Sequence, residues 1–325
     1  MEFRVIERTF SDDESKPSIL LANMDTTINT ETNLLKMEQV IQLAHERDVN
    51  IVIFPELCVT GYVWDAEDDA DVFEHLRGGD NNNLTHWMNN VRDSLTDSGN
   101  GLEYVLYNNV RGVGDDLYNS TFILHPHIDP NDPQFIYDKI FLPPIECRFF
   151  TRGPDRRLVI DTKWGRFGFL ICYDLTFIEL ARKYALQHEV DAIVTMAQWN
   201  SESIREYPGM NVRTDHYYGF LWDLMNSSKA AYNQVWSLAA NSVGRHPISE
   251  EYFWGGSGVW APSGMNVLQA SNIHEELLLI RNIDIEGQTE REKDEYNYRL
   301  DFQGIYSDIA GEDTRIKYLD DTPNG

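Results

Sequence analysis

Short, uninterrupted apolar runs alternate along the chain with amphipathic stretches, a pattern that predicts buried strands with helices laid over them. Residues 18 to 23 form a brief apolar run. Residues 31 to 47 then place Leu34, Leu35, Met37, Val40, Ile41 and Ala44 near a helical period, followed by His45, Arg47 and Asn50 as stop signals. Ile51 to Phe54 is a β-branched and aromatic run, as in strands buried on both faces. Strand, helix and buried strand in this order open an α/β layered fold.

The same reading predicts a helix near Leu84 to Leu95 and strands at Leu102 to Tyr107 and Tyr118 to Leu124. Trp164-Gly165-Arg166 reads as a hairpin turn before a buried strand, Phe167 to Ile171, which runs into a helix at Phe177 to His188. Ala192 to Ala197 is a further buried strand, and a long helix covers about His216 to Asn233. Strands follow at Val235 to Ala240, Ser257 to Ala261 and Leu277 to Ile283. Residues 1–17 are polar and read as an N-terminal extension or a lead-in strand, and the charged residues 286–325 as a C-terminal extension over a surface or a partner subunit. No repeat, linker or shift in composition divides 18–285, so one domain is expected there.

Composition narrows the partners. Among 325 residues, 53 Asp and Glu oppose 27 Lys and Arg, and a net charge of −26 repels polyphosphates and anionic lipid surfaces, which argues against nucleic acid. Only eight of the cations are Lys, which suits either a salt-adapted source or an ordinary acidic enzyme. No apolar run approaches the roughly 20 residues of a membrane span, and the N-terminus lacks a signal peptide's apolar core, so a cytoplasmic location is the expectation. Cys58, Cys147 and Cys172 include no CxxC pair, which fits neither a disulfide framework nor a zinc site. His125-Pro126-His127 lies in a Pro- and Asp-rich loop and reads as a solvated turn rather than a metal site.

Three positions carry candidate chemistry. Glu56 follows a buried strand through Pro55, where a carboxylate is placed either for acid/base work or to stabilise the turn. Cys172 stands between a buried strand and a helix, where backbone N–H groups and a helix N-terminus would favour a thiolate; the alternative is an inert core thiol. Lys139, framed by Ile136-Tyr137 and Ile140-Phe141, is either a partly buried ammonium needing an anion or a snorkelling surface side chain.

Together these segments resemble a known family. Phe54-Pro55-Glu56-Leu57 with Gly61-Tyr62, Tyr137-Asp138-Lys139 with Leu142, and Gly168-Phe169-Leu170-Ile171-Cys172-Tyr173-Asp174 are similar to the three signature segments of the nitrilase superfamily of carbon–nitrogen hydrolases. They occur in the family's order, 83 and 33 residues apart. Supporting similarity includes Tyr118-Asn119-Ser120, Asn241 and Gly256-Ser257-Gly258. The resemblance implies a four-layer α-β-β-α sandwich that pairs across a homodimer, acts on a small-molecule amide and needs no metal or organic cofactor. It assigns Glu56 as general base, Cys172 as nucleophile and Lys139 as oxyanion stabiliser, beside the Tyr173 backbone N–H. By the same resemblance Glu146 orients Lys139 or substrate, although a pairing with Arg148 or Arg152 is an alternative. Cys58 and Cys147 are expected to be passive packing.

Cys172-Tyr173-Asp174 resembles amidases and carbamoylases, whereas nitrilases resemble Cys-Trp-Glu, so an amide is the expected substrate. Carbamoylases acting on N-carbamoyl-D-amino acids place two arginines beyond the cysteine, where this chain has Leu175 and Thr176. Tyr62, Trp64 and Trp199 fall by resemblance near the site mouth, with core or dimer packing as the alternative, and Arg205 and Arg213 read as surface residues, with a grip on an anionic substrate tail as the alternative. A silent binding module or an ammonia-supplying domain is the reading from another class, against which the presence of all three triad residues weighs.

Overall fold

The computed structural model describes residues 3–63, 69–78, 82–96, 101–201, 203–207, 209–246, 248, 251–305 and 312–316. In chain order the first half supplies β1 (Arg4–Thr9), β2 (Ile19–Asn23), α1 (Thr30–Glu46), β3 (Ile51–Ile53), α2 (Asp69–Gly78), α3 (Asn82–Ser94), β4 (Tyr104–Val113), β5 (Asp116–Leu124) and β6 (Tyr137–Asp138). Next come β7 (Arg156–Thr162), β8 (Gly165–Ile171), α4 (Ile178–His188), β9 (Ala192–Ala197), β10 (Arg205–Tyr207), β11 (Val212–Thr214) and α5 (Tyr217–Asn233). The chain closes with β12 (Trp236–Asn241), β13 (Val243–Arg245), β14 (Tyr252–Trp254), β15 (Gly258–Trp260), β16 (Asn266–Gln269), β17 (Glu276–Arg281), α6 (Ile285–Glu295), α7 (Tyr298–Gln303) and β18 (Glu312–Ile316).

Two seven-stranded sheets result, ordered β1-β17-β2-β3-β4-β5-β6 and β16-β15-β12-β9-β8-β7-β18. Strand alternation decides which face meets what. In the first sheet Ile19, Leu21, Ile51 and Ile53 point inward and share a core with Phe167, Phe169, Ile171 and Ile193 of the second. Their neighbours Leu20, Ala22 and Val52 point outward under Leu34, Met37, Val40 and Ile41 of α1 and Trp87 and Val91 of α3. Each such fully buried side chain contributes about 1.5–3 kcal/mol. On the far side α4 covers the second sheet so closely that a Cβ on Gly168 would meet the Tyr184 ring at 2.6 Å. The layers are therefore α-β-β-α, the sandwich that the family resemblance implies.

Polar segments join the sheets at their edges. β1 is mostly exposed yet pairs in parallel with β17, Arg4 opposite Glu276, because an edge strand needs backbone partners and no apolar face. The hairpin expected at 164–166 turns one residue earlier, through Lys163 and Trp164, with Thr162 opposite Gly165 and Arg166 already in β8. α6 and α7 lie along the end of α5, where Gln234 Nε2 donates to Glu292 O at 3.0 Å and Trp236 Nε1 to Ile285 O at 3.1 Å. His125 departs from expectation: it is buried and stacked on Tyr104 at 4.5 Å, since the loop after β5 folds back over the sheet end instead of staying in solvent. Among the described residues no helix is long and apolar enough to cross a membrane.

Candidate active site

Glu56, Lys139, Cys172 and Gln198 each stand just past the last residue of a strand or within a few residues of it, at β3, β6, β8 and β9. After β3 the chain turns sharply: Leu57 has φ 44°, and its N–H is caught by Asn108 Oδ1 at 2.7 Å. Gly61 completes the turn at φ 72°, where a Cβ would lie 2.4 Å from Thr27 O, so that only glycine fits. This turn places the Glu56 carboxylate at 0% exposure. Its Oε1 accepts from Lys139 Nζ at 2.7 Å and from Asn119 Nδ2 at 2.7 Å, and its Oε2 accepts from Gln198 N–H at 2.9 Å.

Lys139 leaves β6 with its N–H bonded to Asn119 O at 2.8 Å and its carbonyl accepting from Gly153 N–H at 2.9 Å. Its ammonium is wholly buried and gives Glu146 two bonds, 2.8 and 2.9 Å, in addition to the one to Glu56. Two carboxylates thus flank one ammonium. Burial works against the charged lysine, but Glu146 and Glu56 outweigh it, so its pKa is raised and the ammonium stays charged. Glu146 is pushed up to about 7, first by burial, with Lys139 opposing and the Glu56 charge adding to the rise.

Cys172 sits at φ 44°, a strained left-handed conformation for a residue with a side chain. The Asp174 carboxylate holds this turn. It accepts from Ile171 N–H at 3.2 Å, from Phe141 N–H at 2.8 Å and from Tyr137 O–H at 2.9 Å, tying the cysteine turn to the lysine segment. Burial raises the Asp174 pKa to about 6. The thiol differs from expectation. Burial first, and then the negative charge of Glu56, push Cys172 well above the ordinary thiol range, with Lys139 opposing. A helix N-terminus does not face it, because a 3-10 turn over Cys172–Thr176 intervenes before α4 begins at Ile178. The resting group is a protonated thiol beside a carboxylate, a pair in which the carboxylate has a proton to take.

The remaining expected positions separate. Glu146 joins the buried group through Lys139. Tyr62 is half-buried and meets His246 and Phe253 edge-on at 5.5 and 5.9 Å. Tyr173 is half-buried, edge-on to Phe177 at 5.2 Å. Trp199 is fixed by Nε1 donating to Tyr218 O at 2.7 Å and by Asn241 Oδ1 accepting its N–H at 2.8 Å. Trp64 lies outside the described residues. Arg205 and Arg213 lie on the exposed ribbon β10-β11. Cys58 is buried and raised to about 12 by burial, in keeping with packing, whereas Cys147 is exposed because it lies on the outer side of the 3-10 turn that buries Glu146. Sequence reasoning missed Asn108 and Gln198. Their only signal was a polar residue in or after a buried strand.

Sandwich and site together define a class, the hydrolases of carbon–nitrogen bonds. The carbon-nitrogen hydrolase family model matches residues 19–291, and the chain belongs to that family. It is 24% identical to a probable nitrilase of Schizosaccharomyces pombe over 82% of this chain and 88% of that protein. It is 27% identical to a chloroplastic omega-amidase of Arabidopsis thaliana over 83% and 68%, and 26% identical to an N-carbamoylputrescine amidase of Solanum lycopersicum over 80% and 83%. Among solved structures, a CN-hydrolase superfamily protein from Xanthomonas campestris superposes with TM-score 0.72 at 16% identity, covering 91% of this chain and 99% of that one. The glutamine-dependent NAD+ synthetase of Acinetobacter baumannii superposes with TM-score 0.64 at 22% identity over 81% of this chain, which spans 45% of that longer one.

Proposed function

We propose that the protein hydrolyses the carbon–nitrogen bond of a small linear amide through a Cys172 thioester, releasing ammonia and a carboxylic acid. The observation that carries this reading is the buried Glu56–Lys139 pair, bonded at 2.7 Å, whose two charges both act on the buried Cys172 thiol. Glu56 takes the thiol proton as sulfur bonds to the amide carbon, and the electron pair of the C=O moves onto oxygen. Lys139 and the Tyr173 N–H hold that oxyanion. When it collapses, the C–N bond breaks and Glu56 returns the proton to the leaving nitrogen. Water then attacks the thioester as Glu56 takes its proton, the C–S bond breaks, and the proton passes back to sulfur. Net charge in the buried group is unchanged at the first step, because the proton moves only from sulfur to carboxylate. All three ammonium protons of Lys139 rest on carboxylate oxygens, so one of its two bonds to Glu146 is the one exchanged for the oxyanion.

Cys172-Tyr173-Asp174 supports amides over nitriles, as do the omega-amidase and N-carbamoylputrescine amidase relatives. Leu175 and Thr176 offer no bidentate grip for a substrate carboxylate near the nucleophile, which disfavours N-carbamoyl-D-amino acids. Tyr62, Tyr173 and Trp199 are assigned to the substrate wall. The outward face of α5 exposes Phe220, Leu224 and Tyr232 beside Ile178 of α4, an apolar surface that supports pairing with a second copy. Three free thiols suit a reducing, cytoplasmic setting. Ammonia release from simple amides, N-carbamoyl compounds and nitriles tests the assignment. Amides should be fastest; acid formed faster from nitriles would overturn the choice of bond.

A further inference from the structure

The two oxygens of Glu56 are not equivalent. A carboxylate oxygen presents two lone-pair directions. On Oε1 both are taken, by Lys139 Nζ and Asn119 Nδ2, each at 2.7 Å. Oε2 accepts one hydrogen bond, from the Gln198 N–H at 2.9 Å, and so keeps a second direction open to take a proton. We infer that Glu56 Oε2 is the atom that takes the thiol proton and that Gln198 is a positioning residue that aims it. The inference rests on the proposed thioester reaction and adds to it which oxygen is the base and what holds it.

Gln198 is built for that role from both ends. Its backbone follows β9, one residue beyond Ala197, on the sheet that carries Cys172. Its side chain crosses to the other sheet, where Nε2 donates to Glu56 O at 2.7 Å and Thr26 Oγ1 at 3.1 Å, with Leu57 O at 3.5 Å. Thr26 Oγ1 lies 3.3 Å from Gln198 Oε1 in turn, and the whole side chain is buried. One residue therefore binds the base through its carboxylate and through its carbonyl. The strained turn at Leu57 makes this needful: Glu56 stands between a strand end and a left-handed residue, and nothing in β3 itself fixes the direction of its carboxylate. Gln198 also joins the sheet bearing the base to the sheet bearing the nucleophile, so the sulfur-to-oxygen distance depends on it.

The test is Gln198→Met, which keeps the volume and removes the side-chain bonds, assayed by ammonia release beside wild type and Cys172→Ala. We expect kcat to fall about 10- to 100-fold, as for a base displaced by up to an ångström, with KM within about twofold and the acid limb of the kcat/KM profile moved to higher pH as the bond from the 198 N–H to Oε2 loosens. Gln198→Glu should not rescue, since its oxygens would face the carbonyls of Glu56 and Leu57. An unchanged kcat and an unchanged profile would overturn the inference while leaving the thioester reading intact, provided Cys172→Ala is inert. An inactive wild type, by contrast, would remove the reading on which the inference rests. If Gln198→Met does not fold, Thr26→Val decides: a smaller kcat loss at constant KM supports the role, and wild-type kcat with a wild-type profile rejects it.

Discussion

Asp174→Ala separates what the cysteine turn needs from what burial of a charge costs. The wild-type carboxylate satisfies two backbone N–H groups and one phenol, from Phe141, Ile171 and Tyr137. Leaving buried donors unpaired costs about 1–3 kcal/mol each. Against this stands the cost of the buried charge: a pKa displaced from 3.8 to about 6 corresponds to about 3 kcal/mol at neutral pH, which alanine recovers. The net loss at pH 7.5 is therefore about 3 kcal/mol. The sign of its pH dependence follows from linkage. A carboxyl whose folded pKa is raised contributes stability that is fully present below 3.8 and is lost as pH rises through about 6. Wild type thus gains on acidification from pH 7.5 to 5, by about 1 kcal/mol, and the variant does not. Urea unfolding of both proteins at the two pH values measures the difference. A gap between wild type and variant that is equal at both pH values, or wider at pH 7.5, would refute the reasoning.

Glu146→Gln should lower kcat about 100-fold by removing a charge from beside Lys139, with the wild-type to variant ratio shrinking as pH falls through about 7, where Glu146 itself protonates; a ratio flat with pH contradicts that origin. Alkylation by iodoacetamide, followed by peptide mass spectrometry, should reach Cys147 and Cys172 in the native protein and Cys58 only in denaturant. Glu56→Gln should slow modification of Cys172 about 10-fold and leave Cys147 unchanged; equal slowing at both would place the base elsewhere.

What the chain discloses depends on whether a feature is local. Ala192–Ala197 and Thr30–Glu46 are legible because burial repeats along them at the strand and helix periods. β1 is legible only as one of two readings, an extension or a lead-in strand, because its partner β17 lies some 270 residues away and its exposed side chains follow no apolar pattern. The charged α6 and α7 and the exposed ribbon β10-β11 are hidden because their mostly exposed side chains follow no apolar pattern. In the proposed site, Glu56, Lys139 and Cys172 stand out through segments that resemble the family's, and Glu146 through its place after the lysine. Gln198 and Asn108 were not, because each acts on Glu56 or its turn across the fold. The raised Cys172 thiol was misjudged because strand-to-helix position suggested a helix dipole, whereas the carboxylates that decide it arrive from residues 56 and 146.

Ammonia release by folded Cys172→Ala tests the central claim most directly. With a melting temperature close to wild type and an amide that wild type hydrolyses, the account predicts that at least about 1,000-fold of the rate is lost, since no other described thiol meets Glu56 and Lys139. Retention of a substantial fraction of the wild-type rate by that variant would contradict it.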